Sequence, residues 1–339
     1  MQDSSKKVSR LPLPKINLVA EPTPLYRLDS ISQQYDFPVW VKRDDLTGQG
    51  MGGNKIRKLE YILADAQKKG ATTLVTGGGW QSNHAASLAI CARKAGLRSA
   101  LALVSGGEEK SEHYVHGGNM LLDRLSGAQI MPFTPGSDVN ASIEKLSALV
   151  TETEGVEPYS VVMGGSDPIG AMGYVDAALE IAEQLKGQSV NIDTIIHASG
   201  SAGTQAGLIV GSVLADLDVR VLGLSILHEQ SVLRELVLNL CEELAIILGL
   251  KGINWDEKIH IDDRFIGEGY GIASKETWLA IQKLITSEAL VFDPTYSGKA
   301  AEGLLHFLDK EPIELGRGVL FIHTGGSPGL FAAADASKI

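Results

Sequence analysis

The chain has 339 residues, 44% of them hydrophobic and 21% charged, and carries a net charge of −11. This ordinary composition predicts one large or two medium α/β-sized domains with ample surface to bury. The acidic balance disfavours nucleic acid and anionic lipid as partners, because both are held by cations. No apolar run reaches the ~18 residues that a membrane-spanning helix needs.

The first seven residues, Met1-Gln2-Asp3-Ser4-Ser5-Lys6-Lys7, are polar and lack the apolar core of a secretory signal. Cys91 and Cys241 sit inside apolar helical patterns. Two cysteines are no disulfide framework, so both read as small core residues in a reducing compartment. The expectation is a cytoplasmic enzyme.

A helix is expected from about Asn54, with Ile56, Leu59 and Leu63 at helical spacing and Asn54 as its cap. Lys55 falls in the first turn, where the helix dipole disfavours a cation. Taken locally, Lys55 reads as a solvated lysine, and Arg57 and Lys58 as surface residues. The chemical reading of Lys55 is an amine of lowered pKa that acts as nucleophile and base.

Thr73 to Thr76 reads as a strand ending in Gly77-Gly78-Gly79, and a helix follows from about Ser82 to Lys94. Between them lies Trp80-Gln81-Ser82-Asn83-His84. Ser82 fits an N-cap, and the free N–H groups beyond it offer an anion site for a substrate carboxylate. Next come a strand over Ser99 to Val104, a helix near Asn119 to Leu125, and a strand over Gln129 to Phe133. The pair His113-x-x-His116 has no carboxylate or thiol cluster to make it a metal site and reads as loop.

Thr194 to His197 is a strand, Thr204 to Leu214 a helix, and Val219 to Ser225 a strand. The turn between the first two is Gly200-Ser201-Ala202-Gly203. It has the small residues that let a backbone approach a phosphate at a helix N-terminus. Its spacing is neither that of a P-loop nor G-x-G-x-x-G. Leu236 to Leu250 reads as an amphipathic helix, and Val319 to His323 as a last strand closed by Gly325-Gly326. The βαβα rhythm predicts parallel sheets with helices on both faces and a ligand at the carboxyl ends of the strands. An amine that can form a Schiff base, paired with a phosphate cradle, points to pyridoxal 5'-phosphate (PLP).

Four stretches in a fixed order carry a resemblance: Gly53-Asn54-Lys55 with Arg57-Lys58-Leu59-Glu60, Gln81-Ser82-Asn83-His84, Thr204-Gln205-Ala206-Gly207, and Asp293-Pro294-Thr295-Tyr296. Together the chain resembles the fold type II PLP enzymes of the tryptophan synthase β superfamily. Within these it is most similar to the D-cysteine desulfhydrase and 1-aminocyclopropane-1-carboxylate (ACC) deaminase family, from the Thr23-Pro24-Leu25 stretch to Thr324-Gly325-Gly326.

The resemblance implies a two-domain fold with parallel-rich twisted sheets flanked by helices. The large PLP-binding domain would be 1–55 and 167–339, and the small domain 56–166. It implies that Lys55 binds PLP covalently and that Gly200, Ser201, Ala202, Gly203 and Thr204 bind its phosphate. Asn83 would meet the ring hydroxyl, and Thr324 the pyridine nitrogen. Ser82, Asn83 and His84 would receive the substrate carboxylate beside Trp80, and Tyr270 and Tyr296 would face the substrate. Lys55, Ser82, Tyr270 and Tyr296 form the expected catalytic set.

The implied partners are a small amino-acid substrate and a second copy of the chain in a homodimer. The deaminases carry glutamine at the position of His84 and glutamate at that of Ser297. Neutral Ser297 and Thr324 imply a weaker electron sink, suited to a good leaving group. α,β-Elimination of D-cysteine to pyruvate, ammonia and hydrogen sulfide is therefore expected over ACC deamination. L-Cysteate sulfo-lyase chemistry and a PLP-binding protein without turnover are the rival readings. The bulk of Trp80, Ala85-Ala86-Ser87 where the family often has arginine, and Ser201-Ala202 in place of paired glycines depart from the family pattern.

Overall fold

The computed structural model of the protein describes residues 11–20, 22–105 and 111–333; the polar stretch Met1 to Lys7 lies outside them. The chain begins with β1 (Leu25–Arg27), α1 (Asp29–Tyr35) and β2 (Val39–Lys42). It continues through α2 (Asn54–Lys68), β3 (Thr73–Gly79), α3 (Asn83–Lys94), β4 (Arg98–Val104), α4 (Glu112–His116), α5 (Gly118–Leu125), β5 (Gln129–Phe133), α6 (Val139–Glu154) and β6 (Tyr159–Ser160). The remainder is α7 (Pro168–Gln188), β7 (Thr194–Ser199), α8 (Gly203–Leu214), β8 (Arg220–Ser225), α9 (Gln230–Leu248), β9 (His260–Asp262), α10 (Lys275–Glu288), α11 (Ser297–Lys310), β10 (Val319–Ile322) and α12 (Ser327–Ala333).

Two sheets organise these elements. A six-stranded sheet runs β1-β2-β10-β7-β8-β9, and a four-stranded sheet runs β5-β4-β3-β6. The β1–β2 pair is antiparallel, with Leu25 opposite Lys42; the other pairings are parallel. Because β2, β10 and β7 run the same way, the segments after Lys42, Ile322 and Ser199 emerge along one edge. That edge is where ligands sit in open parallel sheets.

The predicted strands and helices of the two βα units stand close to their expected bounds. The amphipathic helix expected over Leu236 to Leu250 starts earlier, at Gln230, where the N–H of Gln230 donates to Asp263. His113 and His116 lie on the short helix α4 rather than in a loop, because the Ser111 hydroxyl caps it by accepting from the Tyr114 N–H. Both cysteines are buried and free, as their patterns predict. No helix among the described residues is long and apolar enough to cross a membrane.

Separate apolar cores lie under the two sheets. Tyr174, Ile195, Leu208 and Leu320 belong to one on the six-stranded sheet. Leu59, Leu63, Leu74, Leu88 and Leu101 belong to another on the four-stranded sheet. Helix α8 lies close against α7: a Cβ at Gly207 would stand 2.4 Å from the Ala171 carbonyl oxygen. Only a residue without a side chain permits that approach. It sets the height of the α8 N-terminus above the sheet edge.

Arg57 and Lys58 correct the surface reading; each is 1% exposed. Arg57 Nε and Nη2 donate to the two oxygens of Asp44 at 2.9 Å, and Nη1 and Nη2 donate to Glu180 at 3.0 Å. Tyr174 donates its hydroxyl to Asp44 at 2.7 Å, and Lys42 pairs with Glu180. Burial raises the Asp44 carboxyl pKa, but the Arg57 guanidinium overrides it and holds the group below the usual range. This network ties the first turn of α2 to β2 and α7. Arg57→Met leaves the buried Asp44 carboxylate without its guanidinium while Glu180 keeps Lys42, and is expected to cost about 3–5 kcal/mol of stability, read as a lower denaturant midpoint.

Candidate active site

Helix α2 starts one residue earlier than a cap at Asn54 implies. Gly53 is the N-cap, at φ 103° and with no side-chain hydrogen bond. Asn54 is instead inside the helix, and its amide Nδ2 donates to Thr204 Oγ1 at 3.0 Å. The Asn54 N–H donates to the Thr324 carbonyl at 3.0 Å. Three segments far apart in sequence are thereby bound together around Lys55. The Lys55 amine has no hydrogen-bond partner among the described residues, and burial lowers its pKa to about 8. A pKa closer to physiological pH gives a larger share of neutral amine, the form that nucleophilic and base chemistry require.

The glycine-rich turn before α8 is held in strain. Ala202 has φ 68° and ψ −38°, and the Gly203 N–H donates to the Ser201 carbonyl at 2.8 Å. This is a γ-turn of positive φ, a rare conformation for alanine. Beyond it the first N–H groups of α8 have no helical partner and face the turn with the positive end of the dipole.

Lys58 lies beneath this turn, and its Nζ donates to the Gly164 carbonyl at 3.1 Å and to Ser166 Oγ at 2.9 Å. A Cβ at Gly203 would come within 2.7 Å of that ammonium nitrogen. Lys58 has no ion pair among the described residues, and burial lowers its pKa well below the usual value, with the nearby Lys55 adding to the effect. A buried lysine with Asp167 acting on it only at longer range, beside free N–H groups, is a donor set fitted to an anion that arrives with the ligand. The residues therefore fit a phosphate-bearing aldehyde. The signal for Lys58 was its place three residues after Lys55, on the same face of α2.

The Gln81 to His84 segment is fixed by its own cap and by α5. Ser82 Oγ accepts from the Ala85 N–H at 3.2 Å, the N-cap that the sequence predicts. Asn119, absent from the expected site, donates to the Gln81 carbonyl at 3.0 Å and to Asn83 Oδ1 at 2.6 Å. Its N–H donates to Gln81 Oε1 at 2.8 Å.

His84 is buried, and burial holds its imidazole well below the usual pKa. The Thr76 hydroxyl donates its one proton to the Val161 carbonyl at 2.9 Å, so it accepts from His84 Nε2 at 3.0 Å. His84 is thus assigned as neutral with its proton on Nε2, leaving Nδ1 as a buried acceptor with no partner among the described residues.

Tyr270 and Tyr296 meet through their hydroxyls, and their rings stand edge to face at 5.8 Å. The surface Tyr270 exposes lines the cavity, where desolvation pushes its phenol up to about 12. Desolvation also raises Tyr296 well above its usual value. Asp293 sets the turn before α11: its oxygens accept from the N–H groups of Thr295, Tyr296 and Ser297 at 2.8–2.9 Å. Ser297 differs from its expected place. It is fully buried, its hydroxyl bonds to Asp293 at 2.6 Å, and its side chain belongs to that turn. Thr324 is the hydroxyl residue that lines the cavity.

These residues meet in one cavity of about 530 Å³. Lys55, Trp80, Ser82, Asn83, His84, Gly200, Ser201, Ala202, Thr204, Tyr270, Tyr296 and Thr324 all line it, with Gly203 just behind in the first turn of α8. Lys55 is the one lysine or arginine, and no aspartate or glutamate appears, among the described lining residues.

A parallel α/β fold in which a lysine of lowered pKa shares a cavity with a phosphate-type cradle defines the class, and the sequence comparison agrees: residues 16–325 match the pyridoxal-phosphate dependent enzymes, and the chain belongs to that family. Within it the chain is a PLP-dependent lyase of the D-cysteine desulfhydrase and ACC deaminase type. It is 38% identical over 319 residues to a D-cysteine desulfhydrase of Salmonella choleraesuis (strain SC-B67), covering 94% of this chain and 96% of the relative. A solved ACC deaminase homologue superposes with a TM-score of 0.88 at 37% identity, covering 97% of each chain. A solved threonine deaminase of T.th. shares the fold at a TM-score of 0.63 and 18% identity, covering 90% of this chain and 92% of that one.

Proposed function

We propose that the chain catalyses α,β-elimination of D-cysteine, with one water consumed and pyruvate, ammonia and hydrogen sulfide released. The observation that carries this reading is the lining of the cavity: a lysine of lowered pKa and a tyrosine pair, with no other lysine or arginine and no carboxylate among the described lining residues. The 38% identity to a named D-cysteine desulfhydrase supports it.

Bound PLP supplies the electron sink for the pair left at Cα. The protein's part is to bind, orient and move protons. Lys55 holds the cofactor, and its freed amine takes the Cα proton, since it is already placed at that carbon. The α8 N-terminus, Thr204 and Lys58 hold the phosphate, with Gly200 to Gly203 allowing its close approach. Asn83, oriented by Asn119, meets the ring hydroxyl, and Thr324 meets the ring nitrogen.

The substrate carboxylate sits at the α3 N-terminus, on Ser82 and the free N–H groups of Asn83 and His84. The imidazole of His84 presents a lone pair and so does not donate to a carboxylate. Trp80 walls that end. The Tyr270–Tyr296 pair protonates the departing sulfur.

With no carboxylate among the described lining residues to hold a proton on the ring nitrogen, the sink is moderate, which favours a thiol leaving group over opening of the ACC ring. Among the described lining residues the sulfonate of L-cysteate would find no lysine or arginine besides Lys55. A PLP carrier without turnover would need no tyrosine pair. The division into 1–55 with 167–339 and 56–166 is part of the proposal and is supported by the separate cores under the two sheets. A cytoplasmic homodimer completes it; buried free cysteines fit that compartment, and the dimer is read by light scattering.

The test is a panel of D-cysteine, L-cysteine, ACC and L-cysteate. Sulfide and pyruvate from D-cysteine, at the highest kcat/KM of the four, is the expected result. A higher kcat/KM for ACC or L-cysteate would overturn the substrate assignment.

A further inference from the structure

The loop that carries Tyr270 is fastened to the helix that Tyr296 caps by one buried lysine. Between β9 and α10 the chain forms no regular element, and Gly267 and Gly271 adopt φ values of 66° and 76°. The backbone bonds within this loop, Ile266 N–H to Asp263 and Ile272 N–H to Gly269, are both 3.3 Å long. A segment so rich in glycine has wide conformational freedom, and these local bonds restrict it little.

Lys299, in the first turn of α11, is 1% exposed. Its Nζ donates to the Ile266 carbonyl at 2.5 Å and to the Gly269 carbonyl at 2.8 Å, the residue next to Tyr270. It makes no ion pair among the described residues; Glu302 and Asp293 act on it only at longer range. A charge taken out of water without a carboxylate is costly, and an aliphatic side chain would fill the same space. What the ammonium adds is the pair of bonds to the loop. The same helix follows Tyr296, its N-cap residue, whose phenol meets that of Tyr270. Near Tyr270 loop and helix are thus joined at the backbone through Lys299 and at the tips of the tyrosines, while at the start of the loop Arg264 and Phe265 meet His306 and Phe307.

We propose that Lys299 is a positioning residue for proton delivery to the leaving group, acting through Tyr270. This rests on the role given above to the tyrosine pair. When the Cβ–S bond breaks, the electron pair goes to sulfur. A phenol O–H supplies the proton, and the phenolate regains one from solvent at the cavity mouth. Holding the carbonyls of Ile266 and Gly269 keeps the Tyr270 phenol against Tyr296 in the geometry that transfer needs.

The test is a double-mutant cycle in the holoenzyme with D-cysteine, using Lys299→Met, Tyr270→Phe and the double variant. Lys299→Met is expected to lower kcat about 100-fold, the loss that a small misplacement of a catalytic group produces. KM and the visible cofactor band should hold, Lys299→Arg should recover part of the loss, and the change should add nothing in the Tyr270→Phe background. An equal loss in both backgrounds, a loss of the band, or an unchanged kcat would overturn the proposal. Should Lys299→Met fail to fold, Lys299→Gln enters the same cycle. If Tyr270→Phe itself leaves kcat unchanged, the tyrosine assignment falls and this role with it. If Tyr270→Phe is slow and Lys299→Met is not, only Lys299 is excluded.

Discussion

Lys55→Ala is expected to abolish the visible band of the purified enzyme and to lower turnover of D-cysteine by about 10⁴-fold or more, since covalent attachment and general base are lost in one step. Lys55→Arg should do the same, because a guanidinium stays protonated.

The chemistry also predicts a pH signature in the protein freed of cofactor. The neutral amine is the reactive form, and burial lowers the Lys55 pKa to about 8. Acylation of Lys55 by acetic anhydride, followed by peptide mapping, should therefore rise with pH and level off above about 8. An ordinary surface lysine keeps climbing towards ~10.4. A Lys55 profile that climbs with the surface lysines would show a solvated amine and remove the basis for its role.

Lys58→Met has the second largest effect, and its sign differs between the two forms of the protein. In the holoenzyme the charged phosphate donor proposed above is lost, which weakens cofactor binding by about 1.5–3 kcal/mol, roughly 10- to 150-fold. In the protein freed of cofactor the same ammonium is a buried cation without an ion pair. Its pKa is depressed, so the folded state is penalised for charging it. That penalty is fully present at low pH and is relieved as pH rises through the folded pKa towards the unfolded value.

Methionine removes the penalty and is expected to leave the melting temperature of the cofactor-free protein unchanged or raised, as when buried ionic groups are replaced by apolar ones. Differential scanning calorimetry of both forms, with cofactor titration, checks the pair of signs. A cofactor-free Lys58→Met that melts lower, with unaltered cofactor affinity, would make Lys58 a plain structural residue.

Local signals made the two βα units legible. Three glycines followed by Ser82 and an apolar helix, and a β-branched strand running into Gly200 to Gly203, describe a strand end and a helix start in adjacent residues. What the sequence hid depends on partners far along the chain. Arg57 and Lys58 read as surface because they are charged, yet Arg57 finds Glu180 and Lys58 finds Ser166, each more than 100 residues away. Asn54 read as a cap because asparagine caps helices well. Its amide is instead taken by Thr204, and Gly53 serves as the cap at a φ open to glycine.

Ser297 showed the right residue type for the electronic argument, but its hydroxyl turns to Asp293 four residues before it. The strands β6 and β9, two and three residues long, are too short to show an alternation. In the site, local pattern pointed to the amine and the cradle and the family resemblance to both tyrosines; all of them line one cavity. Asn119 and Lys299 emerge only from three-dimensional contacts, and Lys58, marked in the sequence by no more than its place three residues after Lys55, shows its partners only there.

The most direct measurement of the central claim is the stoichiometry of products from D-cysteine with the purified holoenzyme, beside Lys55→Ala as the control. Sulfide, pyruvate and ammonia released in equal amounts, together with loss of all three in the variant, is the predicted result. Sulfide without pyruvate, or any of the three products persisting at the original rate in Lys55→Ala, would contradict elimination at this site.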